Sequence, residues 1–243
     1  MSVSSDDRLP LGEYAYQRLR ADIVRCRRPP GQKLTERGLA FELDLGISPV
    51  REALTRLDHE GLVTTSPRRG YRVTPLTVKD IDDLFSLWQV LGPEIARAGT
   101  ARASDEQILA LTELFARDDR PTLGGQDGAI ERIDNANQLF GLLAQATGNR
   151  YLAEIFTRIS GEMSRVWIIL LAHDSDLHVP ADLAVGDTWA RILSDRDVEA
   201  AAVTAAAYVR DAHHRLQEVL RRWPSVLSSR VPLDSVGVPH PDG

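Results

Sequence analysis

LTERGLAFELDLGISPVREALTRLDHEGLVTTSPRRGYRV, residues 34–73, is the stretch that decides the fold of the N-terminal part of the chain. Thr35 is a suitable N-cap for a short helix that ends near Leu43. The next helix carries apolar residues at i, i+3, i+4 and i+7, the spacing of one buried face: Val50, Ala53, Leu54 and Leu57. Gly61 follows this helix and is expected to end it in the left-handed conformation.

The residues on either side complete a small domain. Upstream, a helix starts at Leu11 and runs to about Cys26, with apolar residues on one face: Tyr16, Leu19, Ile23 and Cys26. Downstream, LVTTSPRRGYRV has two β-prone runs around a turn with Pro67 and Gly70, which predicts a hairpin with arginines at its tip.

Three helices followed by a basic hairpin is the element order of a winged helix-turn-helix. In that fold the third helix enters the major groove of DNA, and the wing contacts the backbone or the minor groove. The pattern alone also permits a three-helix bundle with a solvated arginine turn.

Charge separates the two parts of the chain. The net charge of −6 over 243 residues argues against nucleic-acid binding when taken alone. Residues 1–75, however, hold 13 Lys and Arg against 10 Asp and Glu, a net +3, whereas the remainder carries −9. A cationic module tied to an acidic body fits a protein that meets DNA in one orientation.

Several classes of protein are disfavoured. We expect no membrane association, because no stretch approaches the roughly 18 apolar residues of a membrane span and MSVSSDDRLP lacks the pattern of a signal peptide, so the expected location is cytoplasmic. Cys26 is the single cysteine, and we expect it in the core. An enzyme is not expected, because the chain has no GxSxG elbow, phosphate-binding glycine loop or HExxH motif.

Beyond Pro75 the sequence predicts an antiparallel helical bundle. Apolar stripes with helical spacing cover six segments: 77–102, 104–117, 128–147, 149–172, 182–194 and 196–223. A break is expected at Pro93 in the first of them. The predicted fold is therefore mainly α, with a winged helix-turn-helix in 1–75, a helical domain in 76–223 and an irregular tail, rich in Pro, Ser and Gly, in 224–243.

Residues 11–75 resemble the winged-helix signature of the GntR superfamily, in which PVREAL.RL..EGL precedes a basic wing. The resemblance implies DNA contacts from the start of helix two, from helix three and from the wing: Arg37, Arg51, Arg68, Arg69, Gly70 and Tyr71. Arg51 projects from the polar face of its helix, which suits a contact to a guanine edge or a phosphate. Arg56 is further along the same helix, and both a DNA contact and a surface ion pair stay open for it.

The chain departs from its relatives at the start of helix three. Relatives usually have Ser-Arg-Thr before the Pro-Val-Arg, whereas this sequence has Gly46, Ile47 and Ser48. Either Ile47 makes an apolar contact with DNA, such as with a thymine methyl group, or Ser48 caps the helix with Pro49 as its first residue. The operator sequence of relatives therefore does not carry over.

The helical part, residues 77–223, resembles the effector-binding domain of the FadR-like branch of that superfamily, the FCD-type domain. The resemblance rests on TVKDIDDLFSL, LLAQATGNRYLAEIF and ILSDRDVEAAAV. Many members of this branch hold a divalent metal through an Asp and three His, and the matching positions here are Ala136, Phe140, Trp189 and Tyr208. No cofactor or metal is expected, because these side chains lack the donors that a transition metal requires.

The same matching of positions to relatives places aromatic residues at the centre of the bundle. Trp88 stands where relatives have an arginine that meets an acidic effector, and it should converge with Phe140, Trp189 and Tyr208 on a cavity suited to a large apolar molecule with one polar end. Polar candidates nearby are Asn137, Gln138 and Arg165. The alternative is that the rings fill the interior as a solid core.

One further cluster contains residue types that could coordinate a cation. HDSDLH contains His173, Asp174, Asp176 and His178, but it stands between helices, where polar caps are the simpler explanation.

The expected function is that of a homodimeric regulator, a repressor by preference with an activator left open, that binds double-stranded operator DNA with a palindromic sequence. The dimer is expected because one winged helix makes too few base contacts for strong specificity. The expected effector is a hydrophobic acid or an acyl thioester, because a small anion would need the arginine that Trp88 replaces. Two alternatives stay open: a small carboxylate metabolite as effector, and a ligand-blind bundle that serves only dimerisation.

Overall fold

The computed structural model describes residues 9–66, 70–116, 125–173 and 186–222. The chain forms two compact units, the first ending at Leu76 and the second starting at Thr77. The described helices of the first unit, the head, are α1 (Leu11–Val24), α2 (Glu36–Glu42) and α3 (Ile47–His59). Its described strands are β1 (Lys33–Leu34), β2 (Val63–Ser66) and β3 (Gly70–Val73).

The predicted helix signals of the head are confirmed. The Thr35 hydroxyl accepts a hydrogen bond of 3.1 Å from the Gly38 N–H at the start of α2. The predicted inner face of α3 is fully buried and packs on Leu19 and Ile23 of α1, which also have no exposed surface. Gly61, with φ +78°, follows the end of α3 as a left-handed residue.

The three strands form an antiparallel sheet in the order β1–β3–β2. The two predicted strands of the hairpin, β2 and β3, are confirmed, and the turn at 67–69 lies outside the described residues. β1 is only two residues long and pairs Leu34 with Tyr71. A strand this short has no periodicity from which it could be predicted. Gly70 permits this pairing, because a Cβ there would lie 2.7 Å from the Leu34 carbonyl oxygen.

The second unit, the bundle, is helical throughout its described part. Its helices are α4 (Val78–Arg102), α5 (Asp105–Ala116), α6 (Gly125–Ala146), α7 (Arg150–His173), α8 (Gly186–Ser194) and α9 (Val198–Arg222). Helix α4 packs on α9 and α6, α6 packs on α7, and α5 packs on α8. The mainly helical fold class is confirmed, and the predicted tail falls outside the described residues.

The predicted break at Pro93 is wrong, because α4 continues through it. A proline removes one backbone hydrogen bond and costs about 3 kcal/mol in a helix interior. Packing along the whole of α4 offsets that cost: a Cβ on Gly92 would lie 3.0 Å from Val209 Cγ2, so α4 and α9 approach closely at this point.

The start of α4 is fixed by a capping box. The Thr77 hydroxyl accepts a hydrogen bond from the Asp80 N–H, and the Asp80 carboxylate accepts one of 2.9 Å from the Thr77 N–H. Within the described residues, no helix combines the length and the hydropathy needed to cross a bilayer.

Candidate functional site

Arg51 is the most prominent cation on the outer face of α3. Its side chain is 62% exposed, and it donates two hydrogen bonds to the Glu36 carboxylate, 2.9 Å from Nε and 2.8 Å from Nη2. These bonds hold the pKa of Glu36 below its ordinary value. Since Glu36 is the first residue of the capped helix α2, the pair fixes the orientation of a guanidinium that still faces solvent.

The start of α3 decides between the two alternatives, Ile47 as a DNA contact and Ser48 as the N-cap. The helix begins at Ile47 with Gly46 as its N-cap, which contributes no side-chain hydrogen bond, so the alternative in which Ser48 caps the helix is wrong. Pro49 occupies the third helical position, where it costs no helical hydrogen bond. Ile47, Ser48 and, on α2, Arg37 are all exposed at this end of the head.

Arg56 packs against α1 instead of extending outward. Its Nη1 donates a 2.6 Å hydrogen bond to Glu13, and its guanidinium carbon lies 3.7 Å from the centroid of the Tyr16 ring. This geometry favours the ion-pair alternative for Arg56 over a DNA contact, because the guanidinium lies on the Tyr16 ring of α1 and the side chain is 40% exposed, against 62% for Arg51.

The wing is anchored to the rest of the head through its strands. Asp58 near the end of α3 accepts a 3.1 Å hydrogen bond from the Thr65 N–H of β2. Tyr71 on β3 is half-buried against the core of the head. Arg68 and Arg69 lie outside the described residues.

A buried ion-pair group in the head was missed from the sequence. Arg28 is 8% exposed, with Nε 3.7 Å from Asp22 Oδ2 and Nη2 hydrogen-bonded to Glu42. The signal that could have found it is Asp22 itself, an acidic residue beside Ile23 on the inner side of α1. A carboxylate in that position requires a cationic partner.

In the bundle, the four predicted rings do converge, with Phe140 of α6 at their centre. Its ring centroid lies 4.7 Å from that of Trp88, 6.1 Å from that of Tyr208 and 6.3 Å from that of Trp189. Phe156 of α7 was not predicted and joins them at 5.4 Å from Trp88. Edge-on and stacked contacts of this kind fill space efficiently.

A cavity borders this cluster, but it is small. Its described lining is mainly apolar: Phe85, Trp88, Ile133, Ala136, Asn137, Phe140, Phe156, Met163, Ser164, Trp167, Tyr208 and Ala212. The cavity has a volume of about 20 Å³, room for one or two water molecules. The prediction of a cavity suited to a large apolar molecule is therefore wrong for this structure, because the rings pack against one another and fill most of the interior.

One wall of the cavity is polar. The Asn137 amide donates a 2.8 Å hydrogen bond to the Ser164 hydroxyl, which in turn donates 2.9 Å to the Ser160 carbonyl. Burial raises the pKa of the Tyr208 phenol, and the charge of Asp211 adds to this effect. The amide of Asn137 and the Tyr208 hydroxyl are thus the polar groups that a bound molecule would meet there.

Two predicted ligand residues do not line the cavity. Arg165 on α7 is fully buried elsewhere in the bundle. Trp189 has no exposed surface, and its indole N–H lacks a hydrogen-bond partner among the described residues. Trp189 reaches the cavity only through Phe140, whose ring centroid lies 6.3 Å from its own.

The positions matched to the metal ligands of relatives hold Ala136, Phe140, Trp189 and Tyr208, which supply no carboxylate or imidazole. In the part of the chain that the structure describes, no group of three His, Cys, Asp or Glu residues is placed to hold a metal ion. Asp174, Asp176 and His178 lie outside the described residues, as does the side chain of His173.

Known proteins resemble both units. Residues 11–73 match the family described as bacterial regulatory proteins, gntR family, and residues 83–211 match the FCD domain. The Nta operon transcriptional regulator of Aminobacter aminovorans is 26% identical over 79% of this chain and 88% of that protein. The HTH-type transcriptional repressor GlaR of Escherichia coli (strain K12) is 26% identical over 85% of this chain and 89% of its own. E. coli McbR/YncC, a solved structure, has the same fold, with a TM-score of 0.73 and 16% identity over 87% of this chain and 99% of its own.

Proposed function

Because the chain belongs to the gntR family of bacterial regulatory proteins and carries an FCD domain over just over half of its length, we propose that it binds a palindromic operator as a homodimer and represses transcription. The proteins it resembles are transcriptional regulators. This chain is likewise a DNA-binding transcriptional regulator and not an enzyme. The repressor role rests on likeness to GlaR, which is described as a repressor.

The observation that carries the DNA-binding proposal is the fixed Arg51 guanidinium. It is exposed, oriented by two bonds to Glu36, and one helical turn from the start of α3, the end of a recognition helix that meets base edges. Arg37 and Ser48 are proposed to contact the backbone or base edges beside it, together with the wing residues Arg68, Arg69, Gly70 and Tyr71. One head makes few base contacts, so a two-fold dimer on a palindrome supplies the specificity.

The effector proposal concerns the aromatic cavity. We favour a hydrophobic acid of compact shape that enters by displacing the rings around the cavity, with its polar end toward Asn137 and Tyr208 and its apolar part against Trp88 and Phe140. A long acyl thioester finds no support, because the open volume is about 20 Å³. A small, strongly charged carboxylate is the second candidate, but the described lining residues include no cation to neutralise it.

The DNA-binding proposal is tested by selecting the preferred duplex from a random pool with the full-length protein. Gel-shift titration and sedimentation are then carried out on the selected duplex. We expect a palindrome bound by two chains, and Arg51→Ala should remove the preference for it. Enrichment of no sequence, or a monomer in sedimentation at micromolar concentration, would contradict the proposal.

The effector proposal is tested by tryptophan fluorescence and thermal shift with hydrophobic acids of increasing size. Compact acids should quench fluorescence and weaken operator binding, and Tyr208→Phe should lower their affinity. A response to long-chain acids alone would contradict the proposal of a compact ligand. No response to any acid of the series would favour a bundle used only for dimerisation.

A further inference from the structure

Ile47 is an apolar side chain exposed at the first position of α3. It is 41% exposed, and among the described residues it does not belong to the apolar core of the head or to the side chains that pack on it. Its contribution to the stability of the head is therefore small. An isoleucine in this position is explained better by a contact that the isolated head does not make.

The neighbours of Ile47 define what that contact meets. Arg51 follows it by four residues, so both side chains lie on the same face of α3. Gly46 has no side chain, and Ser48 carries only a hydroxyl, so neither sequence neighbour of Ile47 brings a charge. The surface consists of a methyl-rich tip flanked by a guanidinium held in place by Glu36.

Base edges in the major groove offer one apolar group. Adenine, guanine and cytosine present hydrogen-bond donors and acceptors there, whereas thymine presents its C5-methyl group beside a carbonyl. An isoleucine that enters the groove can make no hydrogen bond, so only a thymine gives it a favourable partner.

We propose that Ile47 reads a thymine methyl group in each half of the operator, an inference that rests on the proposed operator-binding function. The four-residue separation from Arg51 corresponds to about 6 Å along the helix axis, or about two base-pair steps. The thymine therefore lies within about two base pairs of the position that Arg51 reads.

The experiment removes only the methyl group. In the duplex selected by the wild-type protein, each thymine of one half-site is replaced in turn by deoxyuridine, and the affinity is measured by gel-shift titration. One replacement should lower wild-type affinity by about fourfold, the factor that corresponds to burying one methyl group. Ile47→Ala should bind the thymine and uracil duplexes equally, and Ile47→Val should retain part of the difference.

Controls separate this inference from the function on which it rests. Phe41→Ala removes another exposed apolar side chain of the head, 91% exposed on α2, and should keep the wild-type response to uracil. Circular dichroism should show unchanged melting of Ile47→Ala, because the side chain is outside the core. If the duplex is bound specifically but no thymine shows a methyl effect that Ile47→Ala abolishes, the inference is overturned. If no duplex is selected, the operator-binding function itself fails.

Discussion

The guanidinium of Arg56 lies over the ring of Tyr16, 3.7 Å from its centroid, and so joins the recognition helix to the first helix of the head. Arg56 also donates to Glu13 on the same face of α1. Both contacts join the Arg56 guanidinium to residues of α1, so this side chain helps to hold α3 in a fixed position against α1.

Arg56→Ala should therefore lower the stability of the head more than its DNA affinity. The lost stacking contact corresponds to about 0.5–1 kcal/mol of unfolding free energy. Urea denaturation measures the first effect, and gel-shift titration with the selected operator measures the second. A tenfold loss of affinity at unchanged stability would instead make Arg56 a direct DNA contact.

Arg51→Ala should lower DNA affinity more than the stability of the head. Its side chain is largely exposed, so the melting temperature should stay within a degree of wild type, whereas specific affinity should fall by about tenfold or more. Arg51→Lys is the matched variant, because it keeps the charge and loses the two-pronged geometry. Full operator affinity in Arg51→Lys would show that only the charge matters.

Gly70 and Gly31 form a matched pair for the wing. Both have positive φ, +82° and +80°, but a Cβ meets the Leu34 carbonyl oxygen at Gly70 and nothing within 4 Å at Gly31. Gly31→Ala should cost about 1–2 kcal/mol of unfolding free energy through the backbone conformation alone. Gly70→Ala should cost more, because β1 must also move away from β3. Equal melting temperatures for the two variants would contradict this view of the sheet.

The Tyr16 phenol should make the head sensitive to alkali. Burial, and then the hydrogen bond to Glu60, raise the pKa of Tyr16 from 10.0 to about 12. The protonated phenol is therefore favoured in the folded state, so its stabilisation is complete below pH 10 and is lost as the pH rises through 12. The difference in unfolding free energy between wild type and Tyr16→Phe should shrink across this range, and a constant difference would contradict the assignment.

Added Zn²⁺ should bind no saturable site in the bundle. The matched metal positions hold Ala136 and three aromatic residues, with no carboxylate or imidazole among them, and burial raises the pKa of the one phenol, Tyr208, which keeps it protonated. Calorimetry with the full chain should give only weak, unsaturable heats. One zinc ion bound per subunit would show that the assignment of those positions is wrong.

Much of the helical fold could be predicted from the sequence. Helix α3 carries an apolar face with helical spacing. Thr35 marks the start of α2 through its side-chain cap, and Gly61 marks the end of α3 through its positive φ. Such signals lie within a few residues of each other and need no knowledge of distant contacts. The predicted convergence of the rings also held, because helical spacing fixes which side chains share a face.

The failures came from long-range packing. Pro93 reads as a helix break locally, and only the close approach of α9 at Gly92 explains why α4 continues. The size of the cavity depends on how Phe140 and Phe156 orient their rings, which the spacing of residues does not determine. The partner of Arg56 likewise depends on where α1 lies against α3.

The ion pairs inside the head change what its basic residues can do for binding. Arg20, Arg28 and Arg56 are each engaged by a carboxylate of the head itself. Their side chains are less exposed than that of Arg51, so we expect them to make few contacts with phosphates. Each phosphate contact contributes about 0.9 to the slope of the logarithm of affinity against the logarithm of salt concentration. Operator binding should therefore weaken with salt less steeply than the 13 basic residues of the N-terminal segment suggest. Recognition would then persist at ionic strengths that release proteins held mainly by their charge.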